Sequence, residues 1–154
     1  MIQEKAAFLK DQLVPLLQNL DPAQKPNWGK MDAQQMVEHM ADAFAIANGN
    51  QAMPLHTTDA DRLQKMRAFI VSDIPFKEGT RNPIMAEEPV PCRYESFSLA
   101  IEKLEIELQQ FFSVYEKDAG LQILNPVFGE LNYMQQVHLL HKHAVHHLKQ
   151  FGLL

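Results

Sequence analysis

Five stretches of the chain repeat apolar residues at helical intervals, and proline and glycine gather between them. Residues 2–20 place Ala6, Leu9, Leu13, Leu16, Leu17 and Leu20 on one side, with Pro15 inside the run. The spacing predicts a helix that kinks near Pro15 or breaks before it. DPAQKPNWGK reads as a loop, with Trp28 expected to plug one end of the core. A second helix is predicted from Asp32 to Ala47, with Asp32 and Gln35 matching a capping box and Gly49 past its end. Its apolar stripe is Met36, Met40, Ala43 and Ala47, and His39 lies at the edge. A shorter helix, Asp59 to Asp73, takes Thr58 as cap and turns Leu63, Met66, Phe69 and Ile70 inward. Residues 75–95 hold four prolines without any sustained period, so they are expected to form an ordered crossover over one end of a bundle. Ser96 to Lys117 is the clearest helix, with Phe97, Ile101, Leu104, Leu108, Phe111 and Tyr115 on its buried face. Its acids, Glu102, Glu105 and Glu107, read as solvated surface, with Lys103 and Glu107 at pairing distance. Residues 121–131 form a short connector, and Asn132 with Gln135 starts the last helix, which runs to Phe151. No strand alternation is present. The pattern predicts an all-α bundle of four substantial helices, a shorter fifth and a long crossover, in one domain over residues 1–154.

The last helix carries five of the chain's seven histidines. At about 100° per residue, Tyr133, Val137, Leu140, Ala144, Leu148 and Phe151 share its apolar face. His143 and His147 sit one turn apart along one edge of that face. His138 and His146 point away, and His141 falls on the opposite edge. Two imidazoles at i,i+4 can converge on one metal ion at roughly 2.0–2.1 Å, and His39 is the best third donor. The rival reading is a helix of solvent-exposed histidines with accidental spacing, and a satisfied core histidine on helix 2.

Other chemistries find less support. Ala144 follows His143, so there is no HExxH. There is no phosphate loop and no GxSxG elbow. A di-iron carboxylate site fails because Glu38 immediately precedes His39 and cannot share its face. Cys92, beside Arg93, invites a nucleophile reading, against the simpler one of a packed or exposed thiol. A net charge of −5 with no basic run predicts no nucleic-acid partner. No apolar run reaches about 18 residues, so no membrane partner is expected. The charged N-terminus and the single cysteine make a cytoplasmic location the expectation.

The segments WGKMDAQQMVEHMADAF (28–44) and NPVFGELNYMQQVHLLHKHAVHHLKQFG (125–152) resemble the DinB/YfiT-like superfamily of four-helix bundles. They look closest to a branch with a W-x-K-M … H second helix and an H-x-x-H-H-x-x-Q-F ending. Asn125-Pro126 stands where that branch often has His-Pro. Leu148-Lys149-Gln150 stands where the wider superfamily often has Arg-Gly-Gln. The resemblance implies the bundle fold over nearly the whole chain. It also implies a metal triad at His39, His143 and His147, with His146 in the non-ligand position of the doublet. Relatives include thiol-dependent S-transferases, a thiol-dependent maleylpyruvate isomerase and proteins assigned as metal-dependent hydrolases.

The expectation is therefore a divalent metal, zinc first and nickel second, activating water or a low-molecular-weight thiol. The reaction expected is hydrolysis or group transfer on a small molecule, and the resemblance implies a homodimer. Three histidines leave coordination positions open, as catalytic sites do. Gln35, Asp42 and Gln150 are candidates to fix the imidazole tautomers, and Glu38, Glu95 and Glu130 are the nearby carboxylates. The alternative is a non-catalytic, stress-associated binding or dimerisation module whose metal is structural or incidental.

Overall fold

A computed structural model describes residues 1–80 and 82–154. The first helix is broken in two: α1 spans Ile2–Asp11 and α2 spans Leu13–Gln18, with Gln12 (φ −116°, ψ −32°) between them. Pro15 has no N–H to offer the carbonyl of Asp11 four residues back. The ladder parts before the proline, which then sits in the first turn of a new helix, where its ring is tolerated.

Helix α3 (Ala33–Ala47) starts on the expected capping box: Gln35 N–H donates to Asp32 Oδ1 at 2.7 Å, and Asp32 N–H donates to Gln35 Oε1 at 2.9 Å. Helix α4 (Ala60–Val71) is capped by Asp59 rather than Thr58, and it ends two residues before Asp73. Asp59 Oδ1 accepts from the amides of Asp61 and Arg62, and its charge suits the positive end of a helix better than a threonine hydroxyl does. Helix α5 (Phe97–Lys117) is capped by Ser96.

The connector is more ordered than its composition suggests. Strands β1 (Ile123–Asn125) and β2 (Gly129–Leu131) form an antiparallel hairpin. Asn125 Oδ1 accepts from the amides of Val127 and Phe128, closing the turn, and Gly129 takes φ +81°. Helix α6 (Tyr133–Gln150) begins on the Asn132/Gln135 capping box. The described residues are thus predominantly helical, with six helices and one two-stranded sheet. No helix among them is long and apolar enough to cross a membrane.

Helix α3 packs mainly on α5, while α6 lies against α1, α3 and α4. The core between them runs from Leu9 to Phe151, and Phe44, Phe111, Met36, Leu104 and Leu148 are among its fully buried members. A smaller cluster of Ile70, Val127, Phe128, Leu131 and Leu139 fixes α4 and the hairpin onto α6.

Glu107 is not part of a solvated face. It is 3% exposed and accepts from Asn48 Nδ2 at 2.7 Å and Asn50 Nδ2 at 3.0 Å, with Lys103 one turn away. Burial works to raise its pKa, but the Asn48, Lys103 and Asn50 contacts outweigh it and hold the carboxyl below the ordinary value. Asn48 also donates to the Glu107 carbonyl, so one side chain ties the end of α3 to α5. Asn48→Ala leaves that carboxylate short of a donor. It is expected to destabilise the fold by about 1–3 kcal/mol, read by urea unfolding.

Candidate metal centre

Packing of α3 on α6 brings the three predicted histidines together. His39 Nε2 lies 2.9 Å from His143 Nε2, and His147 Nε2 lies 2.9 Å from the same atom. The rings meet edge to face, with centroids 4.5–5.0 Å apart. The i,i+4 spacing places His143 one turn before His147 on the same side of α6, and Met36 and Met40, on the same helix as His39, are buried in the core. His147 is buried, while His39 and His143 are partly covered.

This donor set suits a cation better than it suits itself. A neutral imidazole nitrogen offers either one N–H or one in-plane lone pair. His143 Nε2 therefore pairs fully with one neighbour and not with two. One ion set between the three nitrogens satisfies all of them, and the group is able to hold a metal ion. Its place in the last turns of α6, where backbone carbonyls accumulate partial negative charge, also favours a cation.

Burial keeps the rings neutral and their lone pairs free. It pushes His39 down to about 4, only partly opposed by Asp42, and His147 down to about 3, helped by His39 and opposed by Gln150. His143 is driven well below 6.5 by burial and then by its two neighbours.

The surroundings depart from expectation in several places. His146 does not point clear of the cluster: its ring lies 5.1 Å from His147, 6.0 Å from Phe76 and 5.5 Å from Trp28. Trp28 is half-buried against His146 rather than plugging the core, because the tail of its loop docks on the end of α6. There Asn27 N–H donates to the Gln150 carbonyl at 2.7 Å. Phe76 stands 6.4 Å from His143. Lys142 holds that segment by donating to the carbonyls of Ser72 and Ile74.

Downstream, the 75–95 connection straps itself to α3. Gln35 donates to the Val90 carbonyl and Gln34 to that of Tyr94. Arg93 N–H donates to Glu38 Oε1 at 2.7 Å, and its guanidinium reaches Asp42 at 2.8 Å. Gln35 and Asp42 are thus committed to the cap and the strap and not to a histidine ring. Glu38, 3% exposed, is an anchor: burial works to raise its pKa, but Arg93, Gln34 and Tyr94 hold it down. Glu95 and Glu130 are exposed. Arg93 turns to the carboxylates and away from any role on Cys92, whose thiol is pushed up by burial and then by Asp32 and Glu38. That removes the basis for a thiolate nucleophile.

Gln150 behaves as the sequence suggested, buried with its Oε1 2.7 Å from His147 Nδ1. The sequence does not single out Phe76 and reads Trp28 as a core plug; no local pattern marks the contact of either ring with a histidine. A groove of about 460 Å³ between α1, α2 and α5 carries no histidine and stands apart from this chemistry.

Fold and site together define a mostly helical protein with a largely covered three-histidine cluster contributed by two helices. No family model, curated protein or solved structure matches the chain.

Proposed function

We propose that the protein is a metalloenzyme of the DinB/YfiT-like kind, holding one divalent cation on His39, His143 and His147 and acting on a small molecule by hydrolysis or group transfer. The observation that carries this reading is that His39 Nε2 and His147 Nε2 each lie 2.9 Å from His143 Nε2, on rings that burial keeps unprotonated. A bound divalent cation supplies Lewis acidity, enough to bring the pKa of a water toward about 7 or to hold a small thiol as its thiolate. Zinc is the first candidate and nickel the second.

The chain's own residues do the rest. The three imidazoles donate lone pairs without first losing protons. Phe76 lies beside His143 and His146, and Trp28 beside His146, so the neighbourhood of the cluster is partly aromatic. Glu38 and Arg93 fix the strap beside His39, so the ligand on α3 is held from two directions. Asp42, the carboxylate that acts on His39, is engaged by the Arg93 guanidinium, so it is not assigned the role of a separate base.

Metal analysis of untagged protein tests the proposal, with one equivalent bound per chain expected after reconstitution. Negligible uptake by the wild type would overturn it. Chelation then separates catalysis from a structural role: a structural metal contributes folding free energy outright, so its removal would lower Tm sharply with no turnover to lose. Thiol and ester substrates are the first to screen.

A pH series gives a second check. Rings with pKa values of about 3 and 4 stay neutral at pH 5, so protons compete little for the site. Zinc affinity is expected to change less than threefold between pH 7.5 and 5.5. Three ordinary histidines with pKa near 6.5 would lose far more over that span, and a steep loss by protein that circular dichroism shows still folded at pH 5.5 would show that the rings are not desolvated.

A further inference from the structure

Gln150 is 3% exposed, and both ends of its amide are used. Its Nε2 donates to the Trp28 carbonyl at 2.9 Å, and its Oε1 lies 2.7 Å from His147 Nδ1. A backbone carbonyl only accepts, so the amide nitrogen must face Trp28 and the amide oxygen must face the ring. That oxygen also only accepts, so the proton of the neutral imidazole sits on Nδ1. His147 Nε2 is left bare, directed at His143 Nε2.

Room for this arrangement comes from Gly29. It adopts φ +80°, and a Cβ there would lie 2.9 Å from Gln150 Nε2, too close for the amide to stay in place. The loop is itself fixed on the helix end by Asn27, whose N–H and Nδ2 donate to the carbonyls of Gln150 and Lys149. A chain of contacts therefore runs from a surface loop to a ring nitrogen in the cluster.

We propose that Gln150, oriented by the Trp28 carbonyl and given space by Gly29, is a positioning residue that locks His147 in its Nδ1–H tautomer and aims the Nε2 lone pair into the three-histidine cluster. The consequence for metal capture rests on the metal-centre reading above, whereas the tautomer is a property of the metal-free chain. Without the amide oxygen, the ring is free to carry its proton on Nε2, where it blocks the donor atom. Partners that fix a ligand histidine in this way commonly change metal affinity by roughly 10–100-fold.

The test uses zinc titration calorimetry and nitrogen-15 ring spectra of the metal-free protein. Wild type should show His147 protonated on Nδ1. Gln150→Leu should lose that signature and bind zinc roughly 10–100-fold more weakly. Gly29→Ala, which touches no ligand, should move both readouts in the same direction. Gly49→Ala is the control for backbone strain, since Gly49 has φ +85° but a Cβ there would make only an ordinary 3.7 Å contact with Ile123. It should lower Tm while leaving affinity and tautomer unchanged.

Should Gln150→Leu fail to fold, Gly29→Ala carries the same test. Zinc bound equally by wild type, Gln150→Leu and Gly29→Ala, with the Nδ1–H signature intact in all, would overturn the inference and leave the metal centre standing. No zinc uptake by wild type would overturn the metal centre, while the ring spectra would still decide the tautomer.

Discussion

His143→Ala is expected to reduce bound metal from one equivalent to background. Both 2.9 Å contacts in the cluster share His143 Nε2. Its loss leaves one donor on each helix with the connecting vertex gone. Two imidazoles alone fall short of the three protein ligands usual in catalytic zinc sites. The fold should survive, because the substitution removes a ring whose nitrogen cannot satisfy both neighbours and leaves the core faces of α3 and α6 untouched. Tm of the metal-free variant is expected to equal or exceed that of the metal-free wild type. His146→Ala is the matched control: its ring meets His147 edge to face and lies tilted against Trp28 but is not one of the three clustered donors, so metal content should hold. Elemental analysis after reconstitution and desalting reads both variants. Equal metal in His143→Ala and wild type would end the case for this centre.

Period and capping chemistry were enough to find the helices and the three histidines. The i,i+4 pair on α6 and the stripe edge on α3 place donors at angles that survive folding, because the apolar faces they border decide how the helices pack. Local chemistry that depends on partners far along the chain was not legible in the same way. Glu107 looks like one more surface acid until Asn48 and Asn50, some sixty residues earlier, close over it. Trp28 looks like a core residue until Asn27 docks its loop on the end of α6. The hairpin hides because each strand is three residues long, too short for alternation to register. Its turn was written in Asn125-Pro126 and Gly129 all the same. The Thr58-for-Asp59 cap is a one-residue ambiguity that any run of polar residues before a helix creates.

Acid should unfold the metal-free protein early, and the sign follows from the depressed histidines. In the unfolded chain each ring takes up a proton near pH 6.5. In the native state His147 and His39 resist to about 3 and about 4, His143 lies well below its ordinary value, and His141, half-buried beside Phe8 and near Lys5, is held to about 4. Above pH 6.5 both states are neutral at these positions and stability is at its full value. As pH falls below 6.5 the unfolded state binds protons that the native state refuses, so stability drains away. One unit below the unfolded pKa, each ring held to about 3 or 4 costs about 1.4 kcal/mol, so His147, His39 and His141 together remove roughly 4 kcal/mol, and His143 acts in the same direction. That is a large share of the ~5–15 kcal/mol typical of a folded domain. Local opening of the cluster, which lets a ring protonate without global unfolding, caps the loss. The carboxylates do not confuse the window: Glu38 and Glu107 also have lowered values, but their contribution is lost only once pH falls below their unfolded value near 4.5. Tm followed from pH 7.5 to 5 in chelator should therefore drop steeply for wild type and less steeply for His143→Ala, in which the remaining rings gain room and lose a neighbour. Saturating zinc should restore much of the wild-type Tm at pH 5.5, because the cation occupies the lone pairs that protons would take and binds the native state alone. A flat wild-type profile across that range would mean that the rings are open to water, and with that the desolvated cluster on which the site depends would be gone.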